Sequence, residues 1–361
     1  MSPDDGIGLA YDYLVPVDSI VVVGGRTSEM DSLSARIGHP VQVSIGGDGK
    51  FYVADAAFMA IKVYDSDLTY LQSIGGRGRG PGEFLDFTSM FVSDSGLVVS
   101  DEFNQRITFL SFDGRSKETR QYAHTDILWP RQAFRFDNGN LLFSYRIASA
   151  DVSNKDSLRM FHIYDENVNE KLSSFGLVTD FLPKGEFPNI ISFLEAGVFR
   201  VTTDGRVVYA PAIYSGRLFV YDPMRDLSLS QVFESRVTRS KAYVEIDRNL
   251  DPRPRGAMII SGITRTAGVI KRQTVGLFID ENDSLIHVSS IEADGEWHYF
   301  EEVFGSDGVS KGIGYIAELS GAEVLQGIST VQFRAFAGNR RYYITDISDG
   351  SVKIVYTNRG L

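Results

Sequence analysis

PVQVSIGGDGKFYVADAAFMAIKVYDSDLTYLQSIGGRGRGPGEF, residues 40–84, and TSMFVSDSGLVVSDEFNQRITFLSFDGR, residues 88–115, carry the same pattern twice. Each holds an alternating apolar run, then a turn (Asp48-Gly49, Ser95-Gly96), then a second run ending in Asp55 or Asp101. A third run begins six residues further on, at Ile61 or Ile107. Period-two alternation broken by such turns predicts antiparallel strands joined by hairpins, and residues 71–74 add a fourth strand to the first copy. A four-stranded unit recurring about every 45 residues is the mark of a β-propeller blade.

Outward from these two copies, turn signals recur at Asn138-Gly139, Asp204-Gly205, Asn282-Asp283 and Gly338-Asn339, making six in all and predicting six blades. Units three to five are stretched by insertions. The last unit, residues 330–360, stops after three strands, whereas residues 18–24 (DSIVVVG) form a β-branched run with nothing before it to pair with. The N-terminal run therefore supplies the fourth strand of the last blade and closes the ring without a bare sheet edge. Residues 1–17 read as a polar lead-in. The expected fold is all-β, one six-bladed propeller domain over residues 1–361.

Bulk composition bounds the function. Aromatics make up 12 % of the chain and glycine 35 residues, which suits many short strands and tight turns. A net charge of -11 argues against a nucleic-acid partner, which normally meets a basic face. The absence of cysteine removes disulfides, thiolate metal sites and cysteine nucleophiles. No apolar run approaches the roughly 18 residues of a membrane span, and the start MSPDDGIGLAYDYLVPVDS is acidic where a secretory leader is basic and then apolar. Either the protein is intracellular or a leader lies outside this sequence.

One segment departs from the acidic background: residues 235–272 hold nine basic residues against Glu245, Asp247 and Asp251. A connection from an outer strand to the next inner strand opens on the same face as the loop between second and third strands. The insertion is therefore expected on the funnel face, beside the 146–158 loop and the 210–217 turn.

The repeats resemble NHL-type six-bladed propellers, a TolB-like architecture. Pro40, Asp48-Gly49, the Tyr52-Val53-Ala54-Asp55 strand end, the Ile61 to Asp65 strand and the glycine-rich residues 76–84 match that pattern. The GRGPGEF form is similar to poorly characterised propellers, often exported lipoproteins, of Bacteroidota and related bacteria. The resemblance covers residues 38–115 well, 330–360 in part and the middle weakly. It implies the fold and export to the periplasm or cell surface, with the cytoplasm as the alternative. It implies no chemistry, because one such fold hosts binders and enzymes alike.

Candidate sites are weighed on residue type. The GGRGRGPGEF loop lacks the Lys-Ser/Thr of a phosphate cradle and no helix follows it, so it reads as a structural turn, with positive φ at Gly78 as the test of that reading. Asp55, Asp101 and Asp346 recur at matched positions and read as hairpin carboxylates accepting backbone N–H groups. Of the five histidines only His39 is placed like the channel histidines of metal-dependent NHL-type lyases, and it lacks partners, so no metal site is expected. No cofactor is expected either, and a structural Ca²⁺ held by backbone carbonyls would leave no mark in the sequence.

What remains is an arginine and aromatic set: Arg131, Arg200, Tyr214, Arg253, Arg255 and Arg265, with Trp129 and Trp297 as possible sugar platforms. Arginine's planar fork suits carboxylates, sulfates and uronic acids. The opposing reading is that these arginines pair with the protein's own carboxylates. The expected function is a monomeric binding module of the bacterial cell envelope that takes an anionic glycan or a protein partner. The alternative is a polysaccharide lyase, or a lactone or ester hydrolase, working in the same funnel.

Overall fold

The computed structural model describes residues 11–15, 19–22, 37–93, 96–121, 130–145, 158–181, 197–237, 242–247, 257–258, 266–280, 282–293, 295–317, 322–323, 331–337, 340–346 and 352–358. Backbone alone is described for residues 19–22, 88, 243, 245–247, 257–258, 266–269, 322–323, 331–337, 340–346 and 352–358. Strands form where β-branched and aromatic residues alternate, and they reverse where the turn residues allow it. Gly49 and Gly139 have φ of +75° and +89°, the left-handed backbone that two of the turn signals require.

Blade one runs through Pro40–Ile45, Phe51–Asp55, Ala60–Tyr64 and Tyr70–Ile74, paired in that order. Blade two is Phe87–Ser93, Gly96–Asp101, Arg106–Leu110 and Ser116–Gln121, and blade three is Pro130–Arg135, Leu141–Tyr145, Arg159–Tyr164 and Lys171–Leu177. Blade four is Val198–Val201, Val207–Ala210, Arg217–Asp222 and Asp226–Glu234. Blade five is Arg272–Ile279, Leu285–Ala293, Glu296–Phe304 and Ser310–Tyr315. Blade six is Val331–Ala337, Arg340–Asp346 and Val352–Asn358, with Ser19–Val22 as its outer strand. Each inner strand touches the next, and Val331–Ala337 touches Pro40–Ile45, so the circle is complete.

Closure follows the expectation for residues 18–24: Ser19 pairs with Tyr356 and Val22 with Lys353, antiparallel. The lead-in does more than a polar tail would. Tyr13–Leu14 adds a parallel strand to Ser310–Tyr315, and Asp12 accepts a hydrogen bond from the Ile313 N–H at 2.9 Å. That N–H holds the Asp12 carboxyl below its ordinary range. The 235–272 insertion also gains order that its sequence does not announce: Tyr243–Asp247, Ala257–Met258 and Thr266–Ile270 form a small sheet of their own.

Blades pack face to face. Between blades one and two lie Tyr52, Ile61, Phe84, Met90 and Val99, each buried. Asp55 fastens the chain that enters blade one, accepting the N–H groups of Gly38, His39 and Ala57 at 2.6, 2.9 and 3.0 Å. Asp101 does the same in blade two, accepting from Leu85, Asp86 and Asn104. The carboxylates thus bind the following turn, as expected, and also the start of their own inner strand, which only the folded blade brings near.

The glycine-rich loop is tied down through its carbonyls. Arg106 of blade two donates to the carbonyls of Arg79, Gly80 and Glu83 at 2.9, 2.8 and 2.7 Å. Positive φ occurs at Gly75 (+81°) and Gly82 (+76°), not at Gly78, which corrects the expectation for that residue. A Cβ at Gly75 would overlap the buried Phe84 ring and come within 2.7 Å of the Gly82 carbonyl oxygen, while one at Gly78 would meet only the flexible end of Glu83. Gly75→Ala is therefore expected to cost about 2 kcal/mol or more. Gly78→Ala is expected to cost under about 1 kcal/mol. Urea unfolding of the two variants checks the order, and equal losses would refute it.

Candidate functional site

Inner strands lean together around the ring axis and leave a cavity of about 320 Å³. Its described walls come from the later part of the inner strands of blades one to five, from residues 42–45 in blade one to residues 278–279 in blade five. The cavity therefore lies toward the end of the channel where inner strands run into their hairpin turns. Eleven of the fifteen lining residues are apolar, and Arg200 alone among them carries a charge.

Arg200 sits in Val198–Val201, whose pairing with Val207–Ala210 is regular along its length. Its Nη1 donates to the Phe199 carbonyl at 2.8 Å, and its guanidinium carbon lies 5.9 Å from the centre of the Phe278 ring. No described carboxylate pairs with it. Burial without a counter-charge pulls its pKa down to about 10. Two amides share the wall. Gln42 accepts the Met90 N–H at 2.8 Å and Gln132 accepts the Phe199 N–H at 3.0 Å, so each spans to the inner strand of a neighbouring blade. Their signal in the sequence is a matched pattern, Pro40-x-Gln42 and Pro130-x-Gln132, which places a polar residue in an otherwise apolar strand.

A six-sheet circle with a lined axial channel is matched at family level. The family model DUF5128, described as a 6-bladed beta-propeller, matches residues 33–247, more than half of the sequence. The chain belongs to this family. Among curated proteins none matches it. Solved structures similar to it include a member of the DUF4221 family from Bacteroides vulgatus, with 11 % identity, 95 % of this chain and 97 % of that one covered, and a TM-score of 0.60. A Bacteroides fragilis protein expected to be exported superposes at TM-score 0.56 with 11 % identity and 94 % of each chain covered. A Bacteroides thetaiotaomicron protein of unknown function follows at 0.52, with 10 % identity and 94 % and 75 % covered. At these identities the likeness is one of fold.

Within this 6-bladed propeller the other expected site residues part company. Arg131 occupies the bulge between Pro130 and Gln132, off the cavity wall. It lies near Asp86, whose carboxyl is pushed up by burial and by Asp101 and drawn back by Arg131. Tyr214 is 1 % exposed with its ring 4.2 Å from the His287 ring, so it offers no face to a sugar, and Trp297 is buried in blade five. Trp129, the 146–157 loop and Arg253, Arg255 and Arg265 lie outside the described residues. At the ends of the insertion, Arg236 pairs with Asp12 at 3.1 Å and Lys271 pairs with Glu292. These two cations serve the protein's own carboxylates. The Tyr214 N–H donates to the Arg272 carbonyl at 3.2 Å, so the 210–217 turn and the exit of the insertion are neighbours.

His287 belongs to this buried layer, with Thr274 at 3.0 Å from its Nε2, the Tyr214 ring beside it and Glu302 opposite it on the neighbouring strand. Burial pushes its pKa down to about 3. The folded value lies below the ordinary one near 6.5, so the unfolded chain takes up a proton that the folded chain refuses. Its contribution is complete above about pH 6.5 and falls by about 1.4 kcal/mol per pH unit below that, down to about pH 3. Denaturant unfolding between pH 7 and 4 is expected to show that slope, and His287→Gln to flatten it by one proton's worth. An unchanged slope in the variant would remove His287 as its source.

Proposed function

We propose that this propeller is a recognition module that holds a negatively charged ligand in its central channel. The observation that carries the reading is Arg200, a half-buried guanidinium with no described carboxylate partner on the wall of a cavity large enough for a ligand. A protein keeps a buried, uncompensated charge at a cost, and a ligand anion offsets that cost. The described wall offers one permanent cation and no carboxylate, imidazole, thiol or phenol, which favours holding a charge over moving a proton. A carboxylate, on a glycan end or on a free small molecule, has the chemistry that Arg200 fits. We place the protein at the bacterial envelope on its resemblance to exported propellers and on the B. fragilis neighbour expected to be exported.

Isothermal titration with benzoate and glucuronate, against benzyl alcohol and glucose as neutral counterparts, tests the reading. At least one carboxylate is expected to bind where its neutral counterpart does not. Equal affinity for charged and neutral members, or no binding by any of them, would overturn it.

A further inference from the structure

The cavity wall is poor in polar groups, and this narrows what an anion bound there can be. Beyond Arg200 the described polar lining is Gln42, Ser44 and Gln132, and the amide oxygens of both glutamines already accept backbone N–H groups. A sugar ring brings several hydroxyls, each carrying a desolvation penalty if buried without a partner. Hydrocarbon brings no such demand and gains from contact with Phe91, Phe134 and Ile279. The volume sets the size. About 320 Å³ is roughly ten waters' share of liquid, so the occupant has on the order of ten non-hydrogen atoms.

Position separates this cavity from the insertion. The lining ends of the inner strands lead into the hairpin turns, where Thr203 of blade four donates to Asp283 of blade five. The starts of the inner strands, where Arg272 meets the 210–217 turn, contribute nothing to the described wall. A second cavity, about 170 Å³ between blades two and three, also has arginines, but there Arg120 is neutralised by Glu118 at 2.7 Å.

Resting on the reading of the channel as an anion site, we propose that its ligand is a small amphipathic carboxylate. The carboxylate sits on Arg200 and the hydrocarbon part lies along the apolar wall. The open donors of Arg200 hold the head, the Gln42 amide N–H groups stand on the same wall, and the Phe278 ring supports the guanidinium from the side.

The test is a titration of the full chain with acetate, butyrate, hexanoate and octanoate, with 1-octanol and a uronate disaccharide as controls, repeated on Arg200→Met and Arg200→Lys. Circular dichroism confirms that both variants are folded. The expected result is affinity rising about four-fold per added methylene up to octanoate. 1-Octanol should bind far more weakly, Arg200→Met should lose the binding, and Arg200→Lys should retain part of it. Affinity that stays flat along the series while acetate or the uronate still binds in an Arg200-dependent way would overturn the amphipathic ligand and leave the anion reading standing. Binding by none of the carboxylates would overturn both.

Discussion

Replacing Arg200 by methionine is expected to raise the melting temperature by roughly 1–5 °C and to weaken carboxylate binding on the order of 100-fold. The first half follows from burial. The guanidinium has a carbonyl at 2.8 Å and an aromatic ring at 5.9 Å but no described carboxylate, and its pKa has already fallen to about 10. Removing a half-buried, unpaired charge and substituting an apolar chain of similar length is expected to gain up to the range of about 1–4 kcal/mol seen when buried ionic groups give way to apolar ones. Spread over the unfolding entropy of 361 residues, that corresponds to the stated shift. The second half follows from losing a two-pronged, charged hydrogen bond worth about 3 kcal/mol. A structural arginine behaves in the opposite way, because its loss strands the carboxylate it was serving. Differential scanning calorimetry with and without ligand separates the two, and a lower melting temperature in Arg200→Met would assign the guanidinium to structure.

Deleting residues 1–24 is expected to cost about 5 kcal/mol or more, most of a domain's stability. The deletion removes the outer strand of blade six and the parallel strand on blade five. It also removes the buried side chains of Tyr11 and Val15 and the Asp12 contacts with Ile313 and Arg236. Tyr13 donates to the fully buried Glu301 at 3.2 Å, so that carboxylate loses a donor as well. The freed edges of Ser310–Tyr315 and Val352–Asn358 then present unpaired backbone groups to other chains. Size-exclusion chromatography and thermal unfolding together decide the matter. A monomeric deletion variant with an unchanged melting temperature would remove the closure model.

How much of this was legible in the sequence depended on whether a feature was local. Hairpins announce themselves within ten residues, as at Asp48-Gly49 and Asn138-Gly139, and so did the blade count. Closure was legible because DSIVVVG is a strand without a neighbour and the last unit is short by one strand. Tyr13–Leu14 was not, since two residues in a parallel pair leave no alternation to read. The small sheet in the insertion was hidden because its two longer strands, Tyr243–Asp247 and Thr266–Ile270, pair across residues 248–265 and not through a tight hairpin. At the site, Arg131 and Arg200 look alike on paper. A bulge at Pro130–Gln132 turns Arg131 away from the cavity, while the regular pairing of Val198–Val201 leaves Arg200 on its wall. Strand composition does not encode that difference, which arises only when the blades meet. Tyr214 was misjudged because a turn position suggests exposure, whereas the neighbouring blade covers it.

The pairing of Ser19–Val22 with Val352–Asn358 also sets an order of events during synthesis. A strand made early must wait for one made much later, a separation of 331 residues between Val22 and Lys353. At about 5–20 residues per second that wait is roughly 15–70 s, during which the earlier blades stand as an open arc with one bare edge. Such a delay favours keeping the N-terminal strand occupied or unfolded until the end. It predicts a slow step in refolding, when Ser19–Val22 and Val352–Asn358 find each other.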